Sequence, residues 1–128
     1  MCKRIIAPTS MPAIGPYSPG VEIGQFLFCS GQLPINPHSG AIVDENIAAA
    51  TNQVMSNLQS ILTAAGLGMN SVVKTTIYLK NMDDFSAVNE VYSNYFAGEY
   101  PARTTIAVAA LPKGASIEID AIAVKPER

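Results

Sequence analysis

Two helices can cover only one face of a sheet, and this chain carries just two stretches of helical spacing. From Ile47 to Ala65 the apolar residues Ile47, Ala50, Val54, Leu58, Ile61, Leu62 and Ala65 recur on one side. Asn46 suits the N-cap of that helix and Gly66 its stop. A second run, with Asp83 as its cap, extends to about Phe96 and ends at Gly98. It turns Phe85, Val88, Tyr92 and Phe96 inward. The remainder reads as strand and turn. "IIAP" is a short first strand, and "VEIG" and "QFLFCSGQ" are joined by a tight turn near Gly24. "SVVKTTIYLKN" is a long β-branched strand, and "RTTIAVAAL" and "ASIEIDAIAV" follow, with Pro112-Lys113-Gly114 turning between them. The order strands, helix, strand, helix, strands predicts an α/β or α+β domain on one mixed sheet.

The uncovered face of such a sheet would carry apolar residues such as Val73, Ile77 or Ile117, depending on register. Only 14% of the residues are charged, against about a quarter in ordinary soluble domains. Copies of the chain covering one another's open face would account for both, so symmetric assembly is expected. The 128 residues fit one domain over 1–128, with no repeat or linker. Net charge is −2 and the largest basic cluster is Lys3-Arg4, so the counterion-releasing stripe of a nucleic-acid surface is missing. No apolar run reaches membrane-spanning length, and the N-terminus does not read as a signal peptide. Cys2 and Cys29 form no disulfide or metal pattern. Cys29 lies in an apolar run and reads as a small buried hydrophobe. A cytoplasmic setting is expected.

Chemistry is sought where polar residues interrupt apolar patterns. Asn89 lies on the inward face of the second helix, either bonded to a neighbouring loop or forming a pocket wall. Arg103 is the only arginine between Arg4 and Arg128. It opens what reads as a buried, small-residue strand, on one face with Thr105, Ala107 and Ala109. There it either joins a structural ion pair or grips an external carboxylate with its planar fork. Glu118 shares a mixed face with Asp120, Ile122 and Val124, opposite Ile117, Ile119 and Ala121. It is either a solvated edge residue or a partly desolvated carboxylate able to exchange protons near neutrality. Tyr17 sits in "GPYSPG", part of a loop held by Pro12, Pro16 and Pro19. Ser30 adjoins Gly31, where a ligand can approach the backbone. His38, the lone histidine, reads as surface loop. No metal constellation, GxGxxG, P-loop or Ser–His–Asp set is present.

"IGPYSPG", "FLFCSGQLPINPHSG", "NMDDFSAVNEVYSNYF" and "YPARTTIAVAALPKGASIEIDAIA" together resemble the Rid family, the reactive intermediate deaminases. The resemblance runs from about Ile5 to Val124, in the family's order and spacing. It implies an α+β, chorismate-mutase-like (bacillus type) fold, with about six strands in a mixed sheet backed by two helices on one face. It implies a homotrimer with clefts between subunits. It also implies hydrolytic deamination of reactive 2-enamine and 2-imine acids, such as 2-aminoacrylate and 2-aminocrotonate, to 2-keto acids and ammonia. This is the activity of a 2-iminobutanoate/2-iminopropanoate deaminase, with a small carboxylate substrate and no metal or organic cofactor. Carried over by position, Arg103 would grip the substrate carboxylate and Glu118 would position the attacking water. Tyr17, Ser30, Gly31, Asn89 and Thr105 would bind substrate. Family members commonly have cysteine where Thr105 stands, which bears on substrate preference and rate.

The rival expectation is a non-catalytic 2-keto-acid sensor, or a regulatory or chaperone protein of the same fold. Ribonuclease activity is disfavoured by the missing basic stripe and catalytic histidine. Chorismate mutase chemistry is disfavoured because its dianionic substrate wants several cations.

Overall fold

The structure, a computed structural model, describes residues 2–11 and 15–126; Pro12 of the proline-held loop lies outside them. It contains strands β1 (Arg4–Ile6), β2 (Gly20–Ile23) and β3 (Phe26–Gln32), helix α1 (Ile47–Ala64), strand β4 (Val72–Leu79), helix α2 (Phe85–Ser93), and strands β5 (Ala102–Ala107) and β6 (Ile117–Val124). The strands form a six-stranded sheet in the order β1-β2-β3-β6-β4-β5. Only the β4–β5 pair is parallel, with α2 as its crossover; every other pair is antiparallel. The fold is therefore the expected α+β arrangement of one mixed sheet and two helices.

Each element has a local cause. The Asn46 side chain accepts a hydrogen bond from the Ala49 N–H at 2.7 Å, and Gly66 follows α1 with φ of 76°, a conformation open to glycine. Helix α2 differs from expectation at its start. Asp83 does not cap it: the N-cap position is Asp84, whose side chain makes no capping bond, and Asn81 caps a preceding 3₁₀ turn over Met82–Asp84, its Oδ1 accepting from the Asp83 N–H at 2.9 Å. The 3₁₀ turn takes up Asp83, so the helix starts one residue later than its cap-forming side chain suggests. The helix proper also stops at Ser93, short of Phe96.

The core lies between the sheet and α1. Leu27 and Cys29 of β3, Ile77 and Leu79 of β4, and Ile117, Ile119, Ala121 and Ala123 of β6 are buried there with Val54, Leu58, Ile61 and Leu62 of α1. Alternation puts the intervening residues on the other face, which no element among the described residues covers. Phe26, Phe28, Val73 and Ile106 are exposed on that face. Register thus resolves the sequence expectation: Val73 is on the open face, and Ile77 and Ile117 are in the core. Among the described residues no helix is long and apolar enough to cross a membrane.

Candidate functional site

Arg103 stands second in β5, where the parallel register sets it opposite Thr75 and sets Thr105 opposite Ile77. Directly paired residues share a face, so Arg103 is on the helix side of the sheet. The strand is not buried as its small apolar sequence suggests. As the outermost strand it has a neighbour on one side only, and its residues are mostly exposed.

Helix α2 holds the guanidinium. Phe85, Asn89 and Tyr92 recur on one face of that helix. The Arg103 Nη1 donates to Asn89 Oδ1 at 2.6 Å. The guanidinium carbon lies 5.5 Å from the Phe85 ring centroid and 5.2 Å from that of Tyr92, within cation–π range. Tyr92 is itself tied to β4 by a 2.7 Å hydrogen bond between its hydroxyl and Thr75 Oγ1. Asn89 is thus bonded to the arginine rather than to a loop. Both ion pairs among the described residues involve Glu22, with Lys125 at 2.8 Å and Arg4 at 3.5 Å. The structural ion pair considered for Arg103 is therefore absent among the described residues, and most of its donors remain free. Asn89, Tyr92, Tyr100, Pro101 and Arg103 line a shallow cleft. Two positions along the strand, the Thr105 hydroxyl is buried without a hydrogen-bond partner among the described residues.

Glu118 belongs to a different place. It pairs with Tyr78 on β4, on the open face, with Asp120 two residues along the same side. Glu118 and Asp120 are both half-buried. Burial, and next the Asp120 charge, push the Glu118 carboxyl above the ordinary glutamate value. Gly31 is its neighbour: a Cβ there would land on Glu118 Oε2. Ser30 fastens the loop above. Its N–H donates to the Pro19 carbonyl at 2.9 Å and its hydroxyl to the Ser18 carbonyl at 2.6 Å. Half-exposed Tyr17 and Gly31 line a hollow with Pro19, Leu33, Ile35 and Asn57.

One chain therefore brings Arg103, Asn89 and Thr105 together, and separately Tyr17, Ser30, Gly31 and Glu118. Arg103 and Glu118 lie on opposite faces of the sheet. Neither the cleft at Arg103 nor the hollow at Gly31 is lined by Glu118.

Several supporting residues were not singled out in the sequence. Phe85 and Tyr92 read only as core, although their spacing about Asn89 already put all three on one helix face. Buried Asn57 donates to the carbonyls of Leu33 and Ile35 at 3.1 and 2.9 Å, holding the loop after β3. Tyr78 donates its hydroxyl to Asp120 Oδ2 at 3.0 Å. Cys29 is buried with its thiol pushed up to about 12, by burial first and Asp120 second. It is a neutral core thiol, as expected. His38 is exposed on its loop. Among the described residues no group of three or more His, Cys, Asp or Glu side chains is arranged to hold a metal ion.

Comparison with known proteins gives consistent matches along the chain. The family model described as Endoribonuclease L-PSP matches residues 8–125. The chain is 48% identical over 124 residues to a RutC family protein of Pyrococcus horikoshii, covering 96% of this chain and 98% of that one. It is 46% identical over 124 residues to the 2-iminobutanoate/2-iminopropanoate deaminase of Mus musculus, covering 96% and 92%. Its fold is similar to that of E. coli TdcF with bound serine, with a TM-score of 0.92 and 38% identity, covering 96% and 99% of the two chains.

Proposed function

This chain belongs to the Rid, or L-PSP, family, and on that premise we propose that it hydrolyses 2-enamine and 2-imine acids to 2-keto acids and ammonia. The observation that carries the reading is Arg103. Its guanidinium is held by Asn89 and two aromatic rings, with no carboxylate partner among the described residues. Such a fork is free to take a substrate carboxylate in two parallel bonds. The deaminase names of relatives at 43–46% identity support the same chemistry. TdcF with bound serine supports a small amino-acid-like ligand.

The site needs more than one copy. Arg103 and Glu118 on opposite faces cannot touch one small molecule within a chain. The open face carries exposed Phe26, Phe28, Val73 and Ile106, and apolar surface of this kind favours association. A homotrimer in which these faces pack together forms each cleft from Arg103, Asn89 and Thr105 of one copy and from Tyr17, Ser30, Gly31 and Glu118 of the next.

The chemistry is then short. The enamine tautomerises to the imine, whose carbon is electrophilic. Arg103 fixes the carboxylate and supplies orientation. Glu118 orients a water, takes a proton as the C–O bond forms, and returns one to the nitrogen. The carbinolamine collapses, the C–N bond breaks, and ammonia leaves behind the 2-keto acid. RNA cleavage is not assigned, since the sole histidine lies on an exposed loop and no basic stripe is present.

A coupled assay tests this. A serine or threonine dehydratase generates the imine, and its decay is followed with and without this protein. Faster decay that disappears in Arg103→Ala is expected. Unchanged decay with folded, ligand-binding protein would favour the sensor instead.

A further inference from the structure

Tyr78 and Asp120 form a bonded pair that the hydrolytic steps above do not use. Register sets Tyr78 beside Glu118 and Thr76 beside Asp120. The Tyr78 side chain therefore reaches along the open face from the Glu118 row to the Asp120 row. Its hydroxyl donates to Asp120 Oδ2 at 3.0 Å. That bond holds the Asp120 carboxylate in one place, two residues from Glu118 on the same face. Tyr78 is part-buried, and burial followed by the Asp120 hydrogen bond raises its phenol, so the group remains a neutral donor at physiological pH.

We propose that Tyr78 and Asp120 are positioning residues for Glu118: Tyr78 fixes the Asp120 charge, and Asp120 keeps the Glu118 carboxyl exchanging protons readily during hydrolysis. This rests on the deaminase reading. A like charge disfavours ionisation of its neighbour, so a fixed Asp120 makes Glu118 a stronger base toward the attacking water and keeps it protonated closer to neutral pH for the step that releases ammonia. The raised Glu118 value, with Asp120 as its second cause after burial, agrees with this geometry.

Few other charges compete. From β6 only Asp120 faces Glu118. From β4 the groups on that face are Tyr78, two rows along Lys74, and, just past the strand end, exposed Lys80, which does not figure among the causes of the Glu118 shift. Lys74 Nζ is turned toward β5, donating to Thr104 Oγ1 at 3.0 Å and to the Thr75 carbonyl at 3.1 Å. From β3 the neighbours are Phe28, Ser30 and Gly31, none ionisable in this range.

The test uses the whole protein and three variants, Asp120→Asn, Tyr78→Phe and the double variant. Two readouts are taken: the Glu118 carboxyl titration by carbon-13 NMR, and the pH profile of kcat on the imine. Asp120→Asn lowers the Glu118 midpoint and moves the acid limb of the rate profile the same way. Its kcat at neutral pH falls on the order of tenfold, less than the loss expected for removing the acid–base group itself, with KM unchanged. Tyr78→Phe moves both readouts in the same direction and by less. It adds nothing on top of Asp120→Asn, because it acts through that residue. An unmoved Glu118 midpoint in either single variant overturns the proposal. So does a midpoint that falls while the rate profile stays put. A wild-type protein without turnover would sink the deaminase reading, and the catalytic part of this one with it. The NMR midpoint would still decide whether the two carboxyl groups are coupled, so the two failures remain distinguishable.

Discussion

Gly31 leaves no room for a side chain, because its missing Cβ is where Glu118 Oε2 sits. The obstructing atom is the end of a flexible side chain, so Gly31→Ala displaces the carboxylate rather than the fold. The expected outcome is a drop in kcat of at least about tenfold, as for a displaced acid–base group, with Tm changed by only a few degrees; kinetics and thermal melts on one preparation check it. Glu118 itself makes a stability prediction. Its folded pKa is raised, by burial first and Asp120 second, so the folded state holds the proton more tightly than the unfolded chain does. Between the ordinary glutamate value and the raised one, stability then falls as pH rises. Glu118→Gln removes that cost and should raise Tm at pH 8 relative to wild type, more than at pH 4, while turnover is lost. A Tm difference of the opposite sign would contradict the assigned burial. Both residues were legible as candidates, one as a glycine beside a serine and one as a carboxylate in an apolar strand. Their contact was not, because it depends on the irregular β3–β6 register between Cys29 and Gln32.

Helix α2 and strand β5 act together. The helix presents Phe85, Asn89 and Tyr92 to one guanidinium, and the parallel β4–β5 register brings that guanidinium within reach. Asn89→Ala removes the one side-chain acceptor bonded to Arg103 among the described residues. A hydrogen bond to a charged group contributes about 1.5–3 kcal/mol, so KM should rise by tenfold or more with little change in Tm. Unchanged KM would show that the two rings alone suffice. Helical periodicity revealed α1 with its Asn46 cap, and the inward face that α2 presents. It misjudged where α2 begins, since a 3₁₀ turn capped by Asn81 takes in Asp83 and leaves Asp84 at the helix start without a side-chain cap. The exposure of β5 was also illegible. Small apolar residues suit a central strand and an edge awaiting a partner equally well, and only topology separates the two.

In the whole molecule, two helices leave one face of a six-stranded sheet uncovered, and half of the candidate site lies on that face. The low charge and the helix count made an open face predictable from sequence. Which residues fall on it follows from register, and their separation from Arg103 from strand order. If the open faces pack together, Phe28→Asp should give a monomer by analytical ultracentrifugation, inactive although every Arg103 contact is intact. The most direct test mixes two inactive variants, Arg103→Ala and Glu118→Gln, after dissociation and reassembly. If each cleft takes its arginine from one copy and its glutamate from the next, random mixing of equal amounts in a cyclic trimer restores about a quarter of wild-type activity. If both residues serve one chain's own site, every mixed assembly still carries a defect in each site, and no activity returns.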